Sequence, residues 1–260
     1  MKNAYGDHVK VAIDGHVAVV TIDRPPHNFV SVEFMSDLAD AMEAADASND
    51  VRAIVLQAEG RTFSGGADFA SPTDKVASGM DGVNALYDQA VRLFSVATPI
   101  VAAVQGSAVG AGLGLALVAD FRVAAPEARF AANFVKLSFH PGFGLTHTLP
   151  RLVGQQRAAL MFLTGRRVKA EEGLAWGLVD EVVPAEELRG AALKLAQEIA
   201  ENAPLAVAAT RKTLRAQLAA DVRAQTSIEH KEQAILRATE DFAEGVRSVA
   251  ERRPGNFVGR

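Results

Sequence analysis

The sequence predicts an α/β core with a helical tail, and three observations carry that expectation. Short apolar segments of strand length recur through the first half of the chain, separated by turns and helical stretches. Two of them, AIVLQAEGRTFSGGADF and PIVAAVQGSAVGAGLGLALVAD, share one order of buried strand, glycine-rich turn and helix. From about Leu145 the chain becomes mainly helical, and beyond Ala185 it reads as helix throughout. The length of 260 residues suits one large domain or a core with a small appendage.

Taken in order, Val9 to Asp14 and His16 to Ile22 read as a hairpin turned at Asp14-Gly15. Pro25 and Pro26 stop the pattern, because proline cannot donate to a ladder. Ser31 is placed to cap a helix to about Ser48, with Phe34, Met35, Leu38, Ala41, Met42 and Ala45 on one face. A strand over VRAIVLQA leads to the turn EGRTFSGGADF, and the polar stretch from Ala70 to about Gly79 reads as a mobile loop. A helix from about Asp81 to Val96 is followed by the strand PIVAAV and a buried helix running toward Asp120. FRVAAP and ARFAAN are two further short strands, and LVDEVVP is the last strand-like segment. Between them LPRLVG, GQQRAALMFLTG and KAEEGLAWG read as helices; Pro204 starts a later helix and Gly245 lies within the last. Trp176 and most phenylalanines are expected in the core, with Phe257, Phe134 and Phe143 set apart.

Composition narrows the function. Hydrophobic residues make up 49% and charged residues 22%, enough to bury a large core in a soluble fold. A net charge of -4 with no basic run argues against nucleic acid. The absence of cysteine excludes disulfides, thiolate-bound zinc and thiol nucleophiles, no metal site is expected, and the chain suits a reducing cytoplasm. The stretch Pro99 to Phe121 is long enough for a membrane span and carries a glycine ladder at Gly106, Gly110 and Gly114. Gln105-Gly106-Ser107 interrupts it, however, and alanine and glycine insert weakly, so strand, turn and helix explain it better.

Glycine-rich turns leave successive N–H groups free to face one negative oxygen, and a helix N-terminus adds its dipole. Either turn alone reads as structural. The 110–114 segment is GxGxG rather than GxGxxG, no Walker lysine is present, and Ser107 sits one place early for a nucleophile elbow.

Together the segments resemble the enoyl-CoA hydratase/isomerase (crotonase) superfamily. The likeness runs through TIDRPPHNFV, GRTFSGGADF, VQGSAVGAGLGLALVADFRVAAPEARF, LPRLVG, LTGRRVKAEEGLAWGLVDEVVP and RRPGNF, six segments in the family's order. It implies a spiral of ββα units over 1–195 and a C-terminal helical oligomerisation region over 196–260 that builds homotrimers or hexamers. It further implies an acyl-CoA thioester as substrate, with no cofactor because CoA is part of the substrate. By position, the backbone N–H groups of Ala67 and Ala111 become the two donors to the thioester oxyanion, each supplying about 3–4 kcal/mol. Pro26, His27, Ser64, Gly66, Asp68, Phe69, Val109, Gly110, Gly114, Phe134, Leu137 and Phe257 fall at substrate-binding positions. Phe257, with Arg252 or Arg253, is placed to cover a CoA adenine.

The chain departs from the resemblance at the proton-transfer groups. The two glutamates that activate and deliver water in family hydratases fall at Gly114 and Phe134. Each missing acid or base costs about 10²–10⁴-fold in rate. His140, on the loop SFHPGFG, is the candidate replacement base, with a loop-capping role as its structural alternative. His147 is expected on the next helix, and Asp68 is mainly structural in the family. Tyr87 and Asp88 lie on the helix that supplies an active-site group in a related dehalogenase subgroup, but that subgroup's nucleophilic aspartate falls at Gly142. Two further readings stay open: a non-catalytic acyl-CoA-binding or scaffold protein, and a serine peptidase of the related spiral fold, for which no Ser–His–Asp spacing is visible.

Overall fold

The computed structural model describes residues 1–69 and 75–260. The chain opens on three antiparallel strands, β1 (Ala4–Tyr5), β2 (Val9–Asp14) and β3 (Val17–Ile22), with the expected turn at Gly15. Ser31 accepts the Phe34 N–H and caps α1 (Val32–Asp46), whose buried face is the one the spacing predicts. Next come β4 (Ala53–Ala58), β5 (Thr62–Ser64), α2 (Lys75–Ser78) and α3 (Met80–Ser95). The expected loop over 70–79 thus falls partly outside the described residues, at 70–74, and partly on a helix.

The central segment folds as β6 (Ile100–Val104), β7 (Ser107–Val109) and α4 (Ala111–Ala116). The helix stops four residues before Asp120, shorter than the apolar run suggested. β8 (Phe121–Ala124), β9 (Arg129–Ala131) and a 3₁₀ turn over Asn133–Leu137 follow. The second half holds α5 (Leu145–Val153), α6 (Gln155–Thr164), β10 (Arg167–Lys169), α7 (Ala170–Trp176) and β11 (Glu181–Val182). It ends with α8 (Leu188–Ala200), α9 (Pro204–Leu214), α10 (Leu218–Arg237) and α11 (Glu240–Ala250).

Two sheets result. One runs β1-β2-β3-β4-β6-β8-β11, parallel from β3 onward; the other runs β10-β9-β7-β5, parallel apart from β10. Alternation splits the packing of the larger sheet. Ile54, Leu56, Ala102 and Val104 join the main core beneath α1 and α3, while Val55, Val101, Ala103 and Val123 take α8. α8 offers Leu188, Ala192, Ala196 and Ala200, a stripe of mostly small residues four apart that permits close approach. The boundary expected at 195/196 falls inside this helix.

Asp120, which ends the apolar run, is a tether. Its carboxylate accepts the Ile100 N–H at 2.8 Å and pairs with Arg211 and Arg215 at 2.9 Å each, tying the start of β6 to α9 and the residue after it. Burial alone would raise this carboxyl, but the two guanidinium groups hold it below its ordinary range.

Four expectations are corrected. β10 is too short for its alternation to register in a helical stretch. Trp176 is half-buried, its ring beneath the Arg157 guanidinium at 5.6 Å rather than inside the core. Phe121 is exposed. The chain after α11 is not helical: it returns so that Asp241 accepts the N–H groups of Val258 and Gly259 at 2.7 and 2.8 Å, while Glu244 takes Asn256 N–H at 2.9 Å. Among the described residues, no helix is long and apolar enough to cross a membrane.

Candidate functional site

The site is built where two adjacent strands of the smaller sheet end. β5 and β7 pair in parallel, and each runs into a turn whose glycine has a positive φ: +80° at Gly66 and +56° at Gly110. L-residues resist that conformation, and here it rotates the following amide away from the ladder. At Gly66 a Cβ would also stand 2.5 Å from the Val109 carbonyl oxygen and 3.4 Å from Ala111 N, so the two turns touch.

The first turn is secured by hydrogen bonds. Asn28 is fully buried and donates to the carbonyls of Glu59 and Thr62 at 2.9 and 2.6 Å. The Ser64 hydroxyl donates to Asn28 O at 2.8 Å and accepts Gly66 N–H at 3.3 Å. Gly65 N–H reaches His27 O, and Val30 N–H reaches Gly66 O, both at 2.8 Å. The second turn rests on the first through Gly112, where a Cβ would lie 2.3 Å from Ser64 O. Neither Ala67 N–H nor Ala111 N–H finds an acceptor among the described residues. Ala111 is the first residue of α4, where no intrahelical acceptor exists. Two unpaired amides on touching turns, one at a helix start, form a nest suited to a single oxygen bearing negative charge.

Both turns face a cavity of about 240 Å³. Phe29, Phe69, Phe134, Phe139, Phe143 and Tyr87 supply its aromatic walls. Of the predicted positions, Gly66, Ala67, Asp68, Phe69, Val109, Gly110, Ala111, Phe134 and Leu137 line this cavity. Pro26, His27, Ser64, Gly114, His140 and Phe257 do not. Ser64 is instead part of the buried scaffold, and Pro26 and His27 are exposed. Phe257 packs on Gly255 and lines neither this cavity nor the one beside it. His140 does not line the cavity, and its Nδ1 stands 2.7 Å from the Pro141 carbonyl oxygen. His147 lies on α5, with Nε2 3.7 Å from Asp221, and Asp88 pairs with Arg223 at 2.7 Å.

The fate of the two missing carboxylates is visible. Phe134 is buried, its ring tip 3.7 Å from where a Gly110 Cβ would be, beside the Ala111 amide. Gly114 does not face open space. A Cβ there would meet Phe143 Cδ1 at 2.4 Å, so the Phe143 ring fills that volume. Phe143 holds φ of 64°, an unusual value for a non-glycine residue.

Beside Phe143 stand Tyr87, which the sequence singled out by its helix, and two polar residues the sequence reasoning missed, Gln233 and Glu229. The Tyr87 hydroxyl donates to Gln233 Oε1 at 2.7 Å, and Gln233 Nε2 donates to His140 O at 2.7 Å. Glu229, fully buried one turn earlier on α10, accepts Gly144 N–H at 2.7 Å, Thr146 N–H at 3.0 Å and the Thr146 hydroxyl at 2.6 Å. It thereby caps α5 and fixes the loop carrying Phe143. Burial pushes Tyr87 up from its ordinary range, with the Glu229 charge adding to it, so the hydroxyl keeps its proton. Burial also pushes Glu229 from 4.5 up to about 7, against its three hydrogen bonds.

A carboxyl whose folded pKa is raised contributes stability that is complete below its unfolded pKa and is lost as pH rises through the folded value. The wild-type melting temperature should therefore fall between pH 5 and pH 8 more steeply than that of Glu229→Gln. Parallel melting profiles would show that Glu229 does not titrate in this window.

A second cavity of about 670 Å³ shares Val109, Asn133 and Val249 with the first. Lys136, Arg167, Arg252 and Arg253 surround it, and the first three have no carboxylate partner among the described residues. An apolar chamber with a polarising amide pair thus adjoins a cationic one.

Comparison with known proteins agrees with this arrangement. The family model described as enoyl-CoA hydratase/isomerase matches residues 12–260. The chain is 36% identical to the (E)-benzylidenesuccinyl-CoA hydratase of Thauera aromatica over 96% of this chain and 99% of that protein. It is 33% identical to the crotonyl-CoA hydratase of Syntrophomonas wolfei over 94% and 95% of the two chains. The crystal structure of an enoyl-CoA hydratase/isomerase from Pseudoalteromonas atlantica superposes with a TM-score of 0.86 at 32% identity, covering 97% of this chain and 100% of that one. Fold, site architecture and sequence together place this chain in the enoyl-CoA hydratase/isomerase family.

Proposed function

We propose that the protein binds an acyl-CoA thioester with the thioester oxygen between the N–H groups of Ala67 and Ala111, stabilising the enolate-like charge that develops there. The observation that carries this reading is the unpaired amide pair facing an apolar cavity that adjoins a cationic one. The first suits an acyl group and its carbonyl; the second suits the phosphates of CoA. The hydratase names of the relatives support an enoyl-CoA hydratase-like reaction on such a thioester. The aromatic walls favour a bulky or aromatic acyl group, and Phe134 and Phe143 leave ordinary crotonyl-CoA hydration slow. The same two residues favour a second reading, a protein that binds acyl-CoA without turning it over.

Calorimetric titration with free CoA, butanoyl-CoA and 3-phenylpropanoyl-CoA tests the binding. The last should bind tightest and free CoA weakest. Equal affinities would mean that the apolar cavity is not the acyl site, and no binding would end the thioester reading. A screen of unsaturated acyl-CoA substrates then separates an enzyme from a binding protein.

The proposal extends to assembly as a homotrimer or hexamer. Leu163, Leu205, Leu214 and Ile235 stay 66–85% exposed in the single chain, apolar side chains that a subunit interface would cover. Sedimentation at micromolar concentration should show the trimer or its dimer; a stable monomer would contradict it.

A further inference from the structure

The two cavities meet at a neutral polar side chain. Of the residues they share, Val109 and Val249 are apolar, and Asn133 alone among the described residues brings a carboxamide. Its place is fixed by its neighbours. Gly110 N–H donates to Ala131 O at 2.9 Å, and Ala132 and Phe134, on either side of Asn133, are buried. Asn133 Oδ1 therefore stands against the second turn, 3.9 Å from where a Gly110 Cβ would be, with the Phe134 ring tip at 3.7 Å from the same point. Ala111, which lines the acyl cavity, is the next residue along that turn. The Asn133 side chain is partly exposed and has no hydrogen-bond partner among the described residues. Water can satisfy it there, and a ligand group can take that water's place.

Polarity changes in steps along the two cavities. The acyl cavity carries no lysine, arginine or histidine among its described residues, its neighbour carries Lys136, Arg167 and Arg252, and Asn133 lies between. A CoA thioester has the same order: an apolar acyl group, an uncharged arm containing amides, then phosphates. With the thioester oxygen at the Ala67 and Ala111 amides and the phosphates among the cations, the arm has to pass Asn133. The first amide of that arm follows the thioester sulfur after a short ethylene link, so its N–H arrives beside the second turn. A carboxamide oxygen suits that group, because it accepts the N–H without the desolvation cost of a carboxylate. We infer that Asn133 is a specificity-determining residue, whose Oδ1 accepts the first amide N–H of the CoA arm. It thereby selects amide-bearing thioesters whatever their acyl group. This inference rests on the acyl-CoA reading above.

A single-atom change in a saturated ligand tests it without turnover. Affinities are measured for 3-phenylpropanoyl-CoA and for its analogue in which that first amide N–H is replaced by oxygen, an ester that keeps the chain length, the carbonyl and the nucleotide. Wild-type protein should bind the amide about three- to tenfold tighter than the ester. In Asn133→Leu, which removes the acceptor, the two affinities should converge. Asn133→Ala repeats the comparison with a smaller side chain and should give the same convergence. Asn133→Asp keeps an acceptor and should keep the preference, whatever its charge does to both affinities together. A merely structural role would scale both affinities and leave their ratio as in wild type, which would overturn the inference. An amide preference that survives Asn133→Leu would assign the N–H to a main-chain carbonyl, with the same result. So would a wild-type protein that does not distinguish the two ligands, a comparison that needs no variant to fold. If wild-type protein binds neither thioester, the acyl-CoA reading itself fails.

Discussion

Replacing Ala111 by proline is expected to lower acyl-CoA turnover by about 10²–10³-fold, the effect of deleting one oxyanion donor. The position isolates that donor well. Ala111 opens α4, where proline's fixed φ is compatible with the helix and the lost N–H belongs to no ladder. The residue before it is glycine, which tolerates the restriction proline imposes on its predecessor. Activity measured with whichever thioester the screen identifies, or binding where no turnover occurs, reads the result. Circular dichroism and melting temperature verify that the variant is folded. A folded Ala111→Pro protein with parental binding and turnover would remove Ala111 from the site.

The second large effect concerns Gly114. Supplying the family carboxylate there appears simple from sequence, but the Phe143 ring already occupies the required volume. Gly114→Glu should therefore destabilise the protein by about 3 kcal/mol or more, combining overpacking with burial of a carboxyl group. Thermal unfolding should show a drop of about 10 °C, and crotonyl-CoA hydration should not improve. Adding Phe143→Ala should recover much of the loss, because it vacates the colliding volume. Hydratase activity requires Phe134→Glu as well; before that, the rate should lie at least about 10³-fold below that of a relative with both glutamates. A wild-type protein that hydrates crotonyl-CoA at such a relative's rate would show that another group moves the proton. A Gly114→Glu variant as stable as the parent would show that Phe143 does not fill the space.

What was legible in the sequence follows from range. The hairpin at Gly15, the Ser31 cap and the buried face of α1 depend on neighbours within a few residues, and all form as read. The second glycine-rich turn was legible for the same reason, since β7, the left-handed Gly110 and the start of α4 are consecutive; after Gly66 no helix begins among the described residues before Lys75. β10 was not, because three residues among helices carry no usable period. The polar floor of the cavity was hidden by distance: Tyr87 and Gln233 are 146 residues apart in the chain. On α10, Glu229 and Gln233 look like solvent-facing residues of a polar helix, and only the packing of α3 and the start of α5 buries them. The one local hint was Gly142-Phe143-Gly144, an aromatic residue between two glycines, which signals a chain passing close to something bulky.

The two touching turns have a consequence for how this chain can change. The charge-binding element proposed for it consists of main-chain amides, whose positions follow from the pairing of β5 with β7 and from the contact of Gly112 with Ser64. Exchanging a wall residue such as Phe134 alters the shape and polarity of the cavity, yet leaves those amides where they are. Inserting or deleting one residue between Ser64 and Ala67, or between Val109 and Ala111, rotates a donor out of register and silences every reaction the walls could support. The protein is therefore tolerant of new side chains and intolerant of new spacing, so its chemistry can be retooled by point substitution while its reading frame through those seven residues stays fixed.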